Sequence, residues 1–268
     1  MRRLDSEKYR YMLIDSHFDA DKLAKGREFK AFFDELCQNI FEINITMLED
    51  IGCFPIAYNE NNAYTSIAHA LHTLTPYVSG DEIVKFFDYD IDYKDKKHKT
   101  AQDKDKLKWR FMDFWCMDKK REFEVWIEVK RTWLKLKCGQ NTRLWFDRKA
   151  YLRMRETVDH IESLQFHTKS LPKITKKANY KVALFTIPLS CKKNKIPVYY
   201  NTRFAPEIVE DYLNHFNINR PNRGVLCAVL DLDPQGKKQC GLIYENDYTP
   251  YFALGAVIAE RLSDVQMR

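Results

Sequence analysis

KWRFMDFWCMDKKREFEVWIEVKRTW, residues 108–133, is the stretch from which the rest of the chain can be placed. Aromatic and β-branched residues fill two arms, with Asp118, Lys119, Lys120 and Arg121 between them. That is the pattern of two strands joined by a charged turn. Strand side chains alternate between faces. In the second arm Phe123, Val125, Ile127 and Val129 therefore share one face, and Glu122, Glu124, Trp126, Glu128 and Lys130 share the other. In the first arm Asp113 has the parity of Trp109, Phe111 and Trp115. An even number of residues in the connection sets odd positions of arm one against even positions of arm two. Asp113 is then expected opposite Glu128 or diagonal to it. Opposed Cβ atoms lie about 5 Å apart, where like charges destabilise a sheet. Two arrangements would compensate. One is a divalent cation, since Mg²⁺ favours one or two carboxylates plus waters. The other is an ion network on a solvated face in which Lys130 neutralises Glu128.

Asp113, fourteen intervening residues, then Glu128, Val129 and Lys130 at the end of an apolar strand: this arrangement resembles the PD-(D/E)xK nuclease superfamily. The resemblance implies a restriction-endonuclease-like fold and a nuclease that uses Mg²⁺ or Mn²⁺. It implies that Asp113 and Glu128 bind the metal, that Val129 lends a backbone carbonyl, and that Lys130 assists the attacking water. Met112 stands where the family has its proline. A glutamate from a helix ahead of the Asp strand often completes such a site, and Glu60 is the first choice for it, with Glu42 and Glu49 behind. Glu28-Phe29-Lys30 also matches Glu-x-Lys but falls on an expected helix, so the hairpin context gives the match its weight.

The 268 residues are 45% hydrophobic and 14% aromatic, enough to fill a sizeable core, and no low-complexity linker interrupts them. A single α/β domain over 1–268 is expected, with a nuclease-like core at about 60–190, an N-terminal helical arm and a C-terminal strand-helix extension. The longest apolar stretch, Tyr251 to Ala259, is too short to span a bilayer. Seven cysteines are scattered without a Cys-x-x-Cys spacing, which argues against a disulfide framework or a structural zinc site. The expectation is a cytoplasmic protein with no membrane partner. The net charge of +6 is concentrated. From Lys130 to Arg155 there are nine Lys or Arg and one acid, Asp147, so this span carries +8 and the remainder is slightly acidic. A basic patch beside a carboxylate pair suits a polyanionic substrate; an ordinary solvated face has the same composition.

Along the chain, residues 1–27 read as an irregular arm or short helix. Residues 28–51 read as a helix, with Phe29, Phe33, Leu36, Ile40, Ile43 and Met47 at helical spacing and Gly52 ending it. A second helix is expected over 61–75. Glu60 projects onto its core row one turn before Tyr64, and an acid on a core-facing row needs a reason; the helix dipole is another. His69 and His72 lack a third ligand. Residues 79–107, with alternating acids and then lysines, read as a mixed-charge loop. A helix is expected over 144–166, with Gln165 far along it. Lys181 to Pro188 and Gly224 to Asp231 read as strands buried on both faces, Glu207 to Phe216 as a helix, and 250–264 as a closing amphipathic helix.

The expected architecture is a three-layer α/β/α sandwich with a mixed central sheet. The expected activity is metal-dependent phosphodiester hydrolysis, with DNA as partner gripped by Lys135, Lys137, Arg143, Arg148 and Arg155. The alternative is a catalytically silent member of the same fold that binds nucleic acid or protein. A homodimer is compatible with either.

Overall fold

The computed structural model describes residues 4, 6–87, 107–137, 143–146, 148–165, 178–192, 204–216, 222–234, 242–244 and 247–260. Its central hairpin is the one expected. β3 (Leu107–Met117) and β4 (Phe123–Arg131) run antiparallel, with Phe114 on Ile127, Trp115 on Trp126, Cys116 on Val125 and Met117 on Glu124. Asp118 closes the turn. Its Oδ2 accepts from Lys120 N at 2.9 Å, and its Oδ1 accepts from Glu122 N at 2.5 Å and Phe123 N at 2.9 Å. Arg121 takes the left-handed conformation at φ 59°. A short carboxylate side chain that gathers turn N–H groups fixes such a conformation without glycine. Asp118→Ala leaves three donors without this acceptor and should cost about 2–4 kcal/mol. The check is a lowered denaturation midpoint at unchanged slope.

β4 lies parallel to β8 (Ala178–Lys192), which pairs antiparallel with β11 (Asp247–Glu260). β11 pairs with β9 (Arg223–Asp231), and β1 (Arg10–Ile14) closes that side. On the other side β3 is followed by β2 (Val78–Phe87) and β7 (Leu164–Gln165). β5 (Leu134–Lys137) continues along β8 beyond β4 and forms a hairpin with β6 (Arg143–Phe146), while β10 (Leu242–Tyr244) pairs with β11.

Two cores sandwich this sheet. Tyr180, Val182 and Leu184 of β8 pack with the apolar stripes of α1 (Gly26–Ile51) and α2 (Glu60–Leu74). Ala183, Phe185, Ile187 and Leu189 pack with Met154, Val158 and Ile161 of α3 (Arg148–Ser163) and Val209 and Leu213 of α4 (Phe204–Asn214). The fold is thus mixed α/β, with a large mixed sheet and helices against both faces. β8, β9 and β11 are covered on both sides, which is why their sequences are nearly continuous apolar runs.

Four expectations are corrected. Residues 250–264 are not a closing helix: through Glu260 they belong to β11, buried on both faces. Gly255 shows the constraint, since a Cβ there would lie 2.4 Å from Leu213 Cδ1 of α4. The N-terminal arm contains β1 rather than a helix, because Tyr11 and Leu13 pack against the α1 side of the sheet. Residues 78–87 are β2, paired along β3, rather than loop; residues 88–106 lie outside the described residues. The helix expected from 144 begins at Arg148, because Arg143–Phe146 is taken by β6.

Candidate functional site

Three elements bring the chemistry together. β4 supplies Glu128 and Lys130 near its C-terminal end. α2 supplies Glu60 and Tyr64 from its first turns, fixed by Asn59, whose side chain caps the helix by accepting from Asn62 N at 2.8 Å. β3 supplies Asp113.

Asp113 sits where β3 departs from regular alternation. Even-numbered Phe114 and Cys116 pack in the α1/α2 core, yet even-numbered Met112 packs in the α3/α4 core. The side-chain phase therefore changes across Asp113. Opposite it on β2, between the pairs Gly80–Phe114 and Glu82–Met112, Asp81 adopts φ 52°. Asp113 therefore does not share one face with both Phe111 and Trp115, as unbroken alternation would have it. The β3–β4 register ends at the Phe114–Ile127 pair, so Asp113 and Glu128 lie just beyond the paired ladder rather than within it.

The phase break lets Asp113 leave the ladder and bridge to β4. Its Oδ2 accepts from Val129 N at 2.6 Å, and its Oδ1 accepts from Tyr64 OH at 3.1 Å. Tyr64 OH also lies 2.9 Å from Glu60 Oε1; with a single proton it donates to one carboxylate at a time. Lys130 Nζ donates to Glu60 Oε1 at 3.0 Å and reaches Glu128 Oε1 at 3.4 Å. Arg131 N donates to Glu60 Oε2 at 3.4 Å. His160 of α3 places Nδ1 3.5 Å from Glu128 Oε1.

Two carboxylates, Glu60 and Glu128, thus pair with one ammonium, and Asp113 adds its charge without pairing. Burial, and then the charge of Glu128, pushes the Asp113 carboxyl up to about 6, against the opposing pull of Val129 N–H, Lys130 and Tyr64. Burial opposes ionisation of Glu128 as well, but His160 and Lys130 outweigh it and hold that carboxyl below its ordinary range. Burial also opposes charge on Lys130, and Glu128, Glu60 and Asp113 outweigh it, so the amine stays an ammonium. Tyr64 is pushed well above the usual phenol range, by burial first and then by Asp113 and Glu60, and remains a neutral donor.

The fit of a divalent cation turns on one atom. Glu128 is only 7% exposed at its side chain, and its Oε2 has no hydrogen-bond partner among the described residues. A buried carboxylate oxygen without a donor is costly unless a cation or water satisfies it. The described residues contain no group of three or more His, Cys, Asp or Glu arranged to hold an ion. Mg²⁺ takes one or two carboxylates and completes its shell with water, so Asp113 and Glu128 suit it without a third. Both oxygens of Glu60 face donors of the chain, as both oxygens of Asp113 do, and through them Glu60 holds Lys130 and Tyr64.

The other expected residues fall as follows. Lys135 on β5 and Arg148 and Arg155 on α3 are exposed; Lys137 and Arg143 belong to the β5–β6 hairpin. Arg155 also pairs with Asp159 at 3.6 Å. Glu49 pairs with Lys8 at 3.6 Å. His69 and His72 are exposed on α2. Cys37, Cys53, Cys116, Cys191 and Cys227 are free thiols. His160 was not anticipated. The signal was a histidine between Val158 and Ile161, inside the apolar stripe of α3. No family model, curated protein or solved structure matches this chain.

Proposed function

We propose that the chain is a metal-dependent nuclease of restriction-endonuclease-like fold that hydrolyses phosphodiester bonds in nucleic acid, DNA foremost. The observation that carries this reading is the buried, donor-free Glu128 Oε2, on a carboxylate whose charge Asp113 feels and whose other oxygen lies 3.4 Å from the Lys130 ammonium. Asp113, Glu128 and the Val129 carbonyl would hold Mg²⁺ or Mn²⁺. When bound, such an ion neutralises charge on the phosphate and lowers the pKa of water.

The protein groups divide the remaining work. Lys130 is held protonated by its carboxylate neighbours, so it donates to a phosphate oxygen or orients the attacking water rather than removing a proton. Glu60 fixes the Lys130 ammonium in place. Tyr64 and Val129 N–H fix Asp113. His160 constrains Glu128 through Oε1, leaving Oε2 for the ion. The exposed cations Lys135, Arg148 and Arg155 meet backbone phosphates, which position without specifying sequence.

Purified protein incubated with Mg²⁺ or Mn²⁺ should cut DNA, and a chelator should stop it. Salt-sensitive DNA binding with no cleavage under any divalent cation would instead identify a silent binding protein.

A further inference from the structure

We infer that Trp133 is a stacking platform for an unpaired base, so that the site acts on single-stranded nucleic acid or frayed ends. The inference rests on the nuclease reading for its substrate class and adds the strandedness of that substrate. Trp133 is 46% exposed although Thr132, which joins it to β4, is buried. It is not a loose side chain. The Arg131 guanidinium lies over the ring, 3.9 Å from its centroid. Arg131 is itself anchored by donating to the carbonyls of Ala57 and Tyr58. Those residues lead into α2, whose first residue, Glu60, holds Lys130. One chain of contacts therefore fixes the ring relative to the ammonium of the site.

The neighbouring residues supply the matching charge. Leu134 is fully buried, while Trp133 and Lys135 on either side of it are exposed. Strand alternation sends both to the side opposite Leu134, roughly 7 Å apart. An aromatic face followed by an ammonium is the pairing that binds a single strand, base on ring and phosphate on cation. Arg131 behind the ring adds its charge to the stack. Lys130 is three residues upstream, so alternation roots it on the other face, and its ammonium is fixed by Glu60 of α2 at 3.0 Å. In a paired duplex the base faces are covered by their neighbours, so only an unpaired or terminal base reaches the ring.

The test uses the full chain in chelator, so that binding is read without cleavage. Labelled single-stranded 20-mers and the blunt duplex of the same sequence are titrated by fluorescence anisotropy. Trp133→Ala should weaken single-strand binding roughly ten- to hundredfold and duplex binding less than about twofold. Trp133→Phe should restore most of the loss. The salt slope should not change, because no phosphate contact is removed. Unchanged single-strand affinity in Trp133→Ala, or equal losses on both nucleic acids, overturns the inference. The two readings fail separately. Trp133-dependent binding with no metal-dependent cleavage sinks only the nuclease. Cleavage by Trp133→Ala with the wild-type strand preference sinks only the platform.

Discussion

Asp113→Asn and Glu128→Gln should each reduce metal-dependent cleavage by about a thousandfold or more, while DNA binding in chelator stays within about twofold. The expectation comes from the charge each change removes. Unit charges about 4 Å apart interact by ~4 kcal/mol at an effective dielectric near 20, and a divalent ion doubles that. Losing even half of this at one ligand lowers metal affinity by some three orders of magnitude, since 1.4 kcal/mol is about a factor of ten. The amides are near-isosteric, so the Val129 N–H can still find an oxygen at position 113 and the hairpin should persist. Binding in chelator should persist too, because the exposed cations of β5 and α3 are untouched. Cleavage assays over a wide range of Mn²⁺ separate weakened metal binding from lost chemistry: excess ion should partly rescue Asp113→Asn. If either variant cuts at the wild-type rate at low metal, the two carboxylates are not the ligands and the mechanism is wrong.

What made this site legible was the hairpin. Its register depends only on local spacing, and Asp118 closes the turn so that odd positions of β3 meet even positions of β4. Glu60 was legible because a carboxylate on an apolar row of α2 has to point at something, and it points at Lys130. The apolar runs of β8 and β9 announced strands covered on both sides. The same reasoning failed for β11, where an apolar run with both faces buried has no period to tell a strand from a helix; α4 against Gly255 decides it. The phase change at Asp113 was invisible because it follows from the sheet dividing its side chains between two cores. His160 was invisible for a similar reason. It meets Glu128 only once α3 has packed on β4, and nothing in its own neighbours forces that docking. Local pattern thus set the candidate ligands, and tertiary packing set what surrounds them.

Stability should record the cation independently of any cleavage. In the chelated protein, folding raises the Asp113 carboxyl to about 6, while in the unfolded chain an aspartate titrates near 3.9. Between those values the folded state binds more protons than the unfolded state, so this group makes stability fall as pH rises through the window. Above pH 6 its full penalty is present, about 1–2 kcal/mol after discounting for partial solvent screening. Asp231, fully buried and also pushed up to about 6 by its burial, acts in the same direction at a distant position. A bound divalent cation reverses the penalty at Asp113 alone. At a hundred times its dissociation constant it adds about 2.7 kcal/mol at neutral pH. That gain should shrink at pH 5, where protons compete for the carboxylate. Thermal melts at pH 5 and 7.5, with and without Mn²⁺, give four numbers per variant. Asp113→Asn should flatten the pH dependence and remove the metal shift, whereas Asp231→Asn should flatten it and leave the metal shift intact. An equal Mn²⁺ shift at both pH values, or one that persists in Asp113→Asn, would place the ion elsewhere and remove the physical basis for reading Glu128 Oε2 as a ligand.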